Sequence, residues 1–131
     1  MTANAEYIPG VCNIGPAEIR RRSQSGWGGV GVTILLWGAS MIFHIPAPWR
    51  LLLFFPAMIS ATGFFQAALH FCAGFGMRGV FNFGSEVGKT DTVEQAEFRL
   101  KDRRKSQLIS LYSALVGIAT AIAAFFLVVP L

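Results

Sequence analysis

The chain has 131 residues, of which 53% are hydrophobic and only 14% charged, with a net charge of +4 and a mean hydropathy of +0.53. An ordinary soluble domain carries about 25% charged residues, so this composition excludes one and makes a bilayer the main solvent. It fits a single membrane unit, because spanning helices satisfy their backbone hydrogen bonds internally and pack on one another.

Residues 1–26 are polar and lack the apolar run and small-residue cleavage site of a secretory signal, so they are expected to be kept as an arm. Pro9-Gly10 reads as a turn. A short amphipathic helix is expected from about Pro16, with Gly15 or Asn13 as its cap and Glu18 in its positive first turn. It carries Arg20, Arg21 and Arg22, which suit lipid phosphates at the membrane surface better than nucleic acid, and it should break at Ser23 to Gly26.

Trp27 to Ile45 is uncharged and long enough, at about 1.5 Å per residue, to cross a core of about 30 Å. Gly26, Gly28, Gly29 and Gly31 at its head permit close packing or an unwound first turn. Pro46-Ala47-Pro48 is expected to end helical structure and to turn the chain back into a second span, Leu51 to Ala73, kinked by Pro56. Thr62, Gln66 and His70 recur every four residues beside Gly63 and Ala67, a polar, small face that should point at protein.

His70 to Gly84 alternates glycine with phenylalanine, and Phe71, Phe75, Phe81 and Phe83 are expected to anchor into lipid or a neighbouring subunit. Gly84 to Thr90 superficially resembles a phosphate-binding loop, but has three residues between its glycines where four are needed and no supporting sheet, so no nucleotide is expected. Capping-box spacing starts a helix near Thr92, and nothing interrupts it before the third span, Leu108 to Leu131. Ser113, Gly117 and Ala121 form a small-residue seam on it, with Gly117 a further docking candidate. Arg20 to Arg22 and the basic residues between Arg78 and Lys105 outnumber Arg50 in the hairpin loop. The N-terminus and residues 74–107 are therefore expected in the cytoplasm of a bacterium, with the C-terminus across its inner membrane.

The expected fold is an all-α integral membrane protein with a cytoplasmic arm and interfacial helix (1–26), spans at 27–45, 51–73 and 108–131, and a cytoplasmic loop and helix (74–107). No Asp, Glu, Lys or Arg lies in the three apolar runs and no inverted repeat is visible, which disfavours transport, and no nucleophile has a specified partner, which disfavours an enzyme. Two readings remain. One is a non-catalytic accessory or assembly subunit of a larger membrane complex, photosynthetic or respiratory, docking on larger subunits and lipids. The other is a cofactor carrier, with Cys12, His70 and Cys72 as metal ligands, or with His70, Gln66 and His44 holding haem or a chlorin.

Overall fold

The structure, a computed structural model, describes residues 6–127. Helix α1 (Pro16–Ile42) starts with proline in its first turn and Glu18 behind it, as the sequence predicts. It then runs unbroken for 27 residues, about 40 Å. The separate interfacial helix and the break at Ser23 to Gly26 are thus corrected. Tertiary packing explains why these glycines stay helical: a Cβ on Gly29 would lie 2.6 Å from the Ser60 Cβ, and one on Gly63 would lie 2.6 Å from the Arg22 carbonyl oxygen. The Ser60 hydroxyl donates to the Gly26 carbonyl at 2.7 Å. Glycine therefore lets two backbones touch, which offsets its poor helix propensity.

The first span ends at Ile42 rather than Ile45, with His44 in the left-handed region at φ 53°. Pro46-Ala47-Pro48 does not continue α1 and the chain turns back there, as expected, but the connection is itself partly helical. Short helix α2 (Ala47–Arg50) takes Pro48 into its first turn, where no amide donor is needed. A 3₁₀ turn (Leu51–Leu53) leads into α3 (Phe54–Leu69). Pro56 would have donated to Leu52 inside that tighter turn, so the irregularity falls just before it. The second span closes at Leu69, not Ala73, because His70 turns left-handed at φ 55°.

The glycine and phenylalanine stretch folds as α4 (Ala73–Arg78) and β1 (Val80–Phe81), which pairs antiparallel with β2 (Asp91–Thr92). Thr92 is therefore a strand residue, and α5 (Ala96–Phe126) begins four residues later than capping-box spacing predicts. From there the expected continuous helix holds over 31 residues, while residues 128–131 of the third span lie outside the described ones. Three helical segments, Pro16–Ile42, Ala47–Leu69 and Ala96–Phe126, are long and apolar enough to span a membrane.

Helix α3 packs against both α1 and α5, which make little contact with each other. The buried side of α5 is a stripe at spacings of three and four: Asp102, Ser106, Ile109, Ser113, Gly117, Ala121 and Ala124 are all buried. At the far end Arg50, 7% exposed, donates through Nε to the Ala124 carbonyl at 2.7 Å and through Nη2 to that of Phe125 at 2.9 Å. Its Nη1 reaches the Ile45 carbonyl at 3.2 Å. One guanidinium thus ties the first turnaround to the negative end of α5.

Candidate functional site

At the opposite end, the arm and the segment from His70 to Val93 form a cap on the helices, organised by two buried carboxylates and two buried amides. Glu18, 1% exposed, stands one turn before Arg22, and its Oε1 lies 3.0 Å from Arg22 Nη1. Its Oε2 accepts from Asn82 Nδ2 at 2.8 Å and from the Gly88 amide at 2.6 Å. Asn82 also donates to the Glu86 carbonyl and accepts from the Gly84 amide. The loop that superficially resembles a phosphate-binding motif therefore does wrap an anion, and that anion is the chain's own carboxylate. Arg22 completes the knot by donating to Cys72 Sγ at 3.1 Å, with its guanidinium 5.6 Å from the centre of the Phe75 ring.

Asn13, wholly buried, joins the arm to the chain after α3. Its Oδ1 accepts from the Cys72 amide at 2.6 Å, its Nδ2 donates to the Cys72 carbonyl at 3.1 Å, and its own amide donates to the His70 carbonyl. The second carboxylate, Asp102, is also wholly buried and accepts from the Tyr7 hydroxyl at 2.6 Å and the Gly10 amide at 2.8 Å. Tyr7 stacks on Phe81 at 4.9 Å between ring centres. These contacts latch the arm onto α5.

Burial foremost, then the hydrogen bond to Asp102 and that residue's charge, raise the Tyr7 phenol well above its ordinary value near 10.0. The folded value exceeds the unfolded one, so the latch contributes fully below pH 10.0 and is lost only as pH rises through the elevated folded value. The protection of the Gly10 amide, its exchange rate relative to an unstructured amide at the same pH, should accordingly hold through pH 10 and fall above it. Tyr7→Phe should give fast exchange already at neutral pH, and a slow amide in that variant would count against the latch.

The residues singled out in the sequence are placed unevenly. Gln66 is buried and its Oε1 accepts from the Ala73 amide at 2.8 Å, whereas His70 is exposed and closes α3, so they do not form the shared polar face expected of them. His44 likewise is exposed beyond the end of α1. Both histidines occupy the left-handed positions just past helix ends. Cys12 donates to the Glu6 carbonyl and burial pushes its thiol up, while Cys72 is engaged by Arg22. Among the described residues no three of His, Cys, Asp or Glu gather in a group that could hold a metal ion, so Cys12, His70 and Cys72 do not assemble as a ligand set.

Two of the four phenylalanines expected to dock are core: Phe71 is fully buried and Phe75 is 5% exposed. Gly117 is likewise spent within the chain, since a Cβ there would lie 2.9 Å from the Phe54 ring. Phe81 and Phe83 remain half-buried, and Arg20 and Arg21 are exposed. The sequence reading missed Glu18, Asn82 and Asp102 as the centres of the cap. For Asp102 the signal was weak: the seam of Ser113, Gly117 and Ala121 reaches it only through Ile109 and Ser106 at mixed steps of three and four.

A different surface is left open. Among the described residues, Gly28, Gly31 and Gly38 of α1 meet nothing within 4 Å of where a Cβ would stand, in contrast to Gly26 and Gly29 on the side facing α3. Comparison of the chain with family models, with curated proteins and with solved structures returns no match.

Proposed function

We propose that this protein is a non-catalytic accessory or assembly subunit of a larger membrane complex, seated against a larger subunit through the outward side of α1. The observation that carries the reading is the division of glycines on that helix. Gly26 and Gly29 are used by α3, but Gly28, Gly31 and Gly38 open onto empty space. Each glycine weakens a helix by about 1 kcal/mol relative to alanine, a cost that a closely approaching second helix offsets by backbone contact. The surrounding surface offers packing, because Ile34 and Leu35 are exposed on the same side of the helix.

In this reading the cap faces the cytoplasm of a bacterium, because the arginines and lysines cluster around it, and the complex is a bioenergetic one. The cap then serves as a rigid plug, its carboxylates and amides spent on holding the arm and loops in place. Phe81 and Phe83 at its rim are the aromatic residues still available to a partner or to lipid.

Extraction from the native membrane in mild detergent tests the proposal. Wild type is expected to co-purify with larger membrane subunits in fixed proportion. Gly31→Leu with Gly38→Leu, which fills open space and leaves the α1–α3 contact alone, should lower that recovery about tenfold or more while thermal unfolding of the isolated chain is the same as wild type or higher. A wild-type chain that runs alone, or a double variant recovered like wild type, would overturn it.

A further inference from the structure

Beyond subunit docking, we propose that the cap end of α1 holds an anionic lipid headgroup carrying two phosphates, of the diphosphatidylglycerol type. Three guanidiniums stand in a row at Arg20, Arg21 and Arg22, and Glu18 is the only carboxylate on α1. That carboxylate is buried, and it is taken by Arg22, Asn82 and Gly88. Arg20 and Arg21 are exposed, and no ion pair neutralises either among the described residues. Two positive charges are thus left over at the membrane-facing margin of the cap, two turns before Trp27 and the apolar part of the helix.

Cavities are present where those charges are. One, of about 300 Å³, lies between α1 and the loop, with Arg20, Arg21 and Gln24 on one side and Ser85 on the other. A second, of about 500 Å³, lies against Arg21, Arg22, Ser25 and Gln66. Arg21 borders both, so an anion in each would share it. The neutral groups beside the arginines, Gln24, Ser25 and Ser85, are hydrogen-bond partners suited to phosphate and glycerol oxygens. A single phosphate in the first cavity would meet both free arginines but leave the second cavity, on the other side of Arg21, unfilled, whereas a headgroup with two linked phosphates occupies both. Basic pockets beside spanning helices at a membrane surface are where such lipids are recognised. Both cavities are lined by α1 residues within about two turns of Trp27, where the helix enters its apolar run, which favours a headgroup held by its acyl chains over a free phosphate.

The site sits above the glycine side of α1 but does not depend on a subunit being seated there, so the two proposals fail separately. The test uses the purified full chain, stripped of lipid in detergent, with native mass spectrometry and thermal unfolding after adding diphosphatidylglycerol, phosphatidylglycerol, phosphatidylcholine or pyrophosphate. Diphosphatidylglycerol is expected to stay bound as a single adduct and to raise the unfolding temperature. Arg20→Gln with Arg21→Gln should weaken it about tenfold or more while leaving the unfolding of the lipid-free chain as in wild type, since neither arginine is paired within the fold. Equal retention of phosphatidylglycerol or phosphatidylcholine, equal stabilisation by pyrophosphate, or a double variant that binds like wild type would each overturn the assignment.

Discussion

Glu18→Ala is expected to lower stability by about 3 kcal/mol, toward the lower end for breaking a buried ion pair because Arg22 keeps some contact with solvent. The change removes the acceptor for Asn82 and for the Gly88 amide, and strands the Arg22 guanidinium beside Cys72 and Phe75. Glu18→Gln separates these effects. Both loop donors use the same oxygen, Oε2, so a glutamine placing its carbonyl there retains them, while its NH2 then faces Arg22 donor to donor and the ion pair is lost. Its cost should be about 2 kcal/mol. Thermal unfolding in detergent, with hydrogen exchange at Gly88, checks both: fast exchange at Gly88 in the alanine variant and slow exchange in the glutamine variant is the predicted pattern. Equal behaviour of the two variants would mean that the loop is not held by this carboxylate.

The second large effect is at the other end of the molecule. Arg50→Ala should cost about 2–4 kcal/mol, because the charged donor bonds to three carbonyls are lost and the last turn of α5 is left with unpaired acceptors in an apolar setting. Helix α5 should fray from Phe126 back toward Ala124, seen as faster exchange in that turn. Arg50→Lys keeps the charge near the helix end but cannot reach three acceptors in a planar fork, so it should recover about half of the loss. A wild-type melting temperature for Arg50→Ala would show that the guanidinium is not the clasp described.

The spans themselves were legible because their signal is large: long uncharged runs in a chain with few charged residues leave little else for the backbone to do but cross a bilayer as helices. Their ends were less legible. Ser23 to Gly26 reads locally as a break, yet the segment is helical because Gly63 and Ser60 of α3 pack directly on it. Pro48 reads as a stop and is instead the start of a helix. In both places a tertiary contact or a position within the helix outweighed local propensity.

The cap was the least legible part. Its bonds join residues far apart in the chain, Tyr7 to Asp102, Asn13 to Cys72 and Glu18 to Asn82, and no periodicity records such pairs. Glu18 reads as a dipole partner, Asp102 as one charge in a basic run, and Arg50 as a loop charge, because each can do those things at the surface. Burial changes their roles: a charge withdrawn from water must find partners, and these three found the backbone and side chains that close the fold. The phenylalanines show the reverse error. Phe71 and Phe75 are apolar enough to face lipid, but the glycines between and after them let α4 approach α5 so closely that a Cβ on Gly76 would meet the Ser106 hydroxyl and lie 2.9 Å from the Asp102 carbonyl oxygen. The rings are consequently covered.

If the outward glycines of α1 are a contact surface for another protein, a photo-crosslinking side chain at Leu35, 72% exposed and one turn after Gly31, should report it in the native membrane, with Ile122, which is 51% exposed on α5, as the control position. A single dominant cross-linked protein is expected from Leu35 and none from Ile122. Cross-linking only to lipid from both positions, or the same diffuse protein products from both, would contradict it.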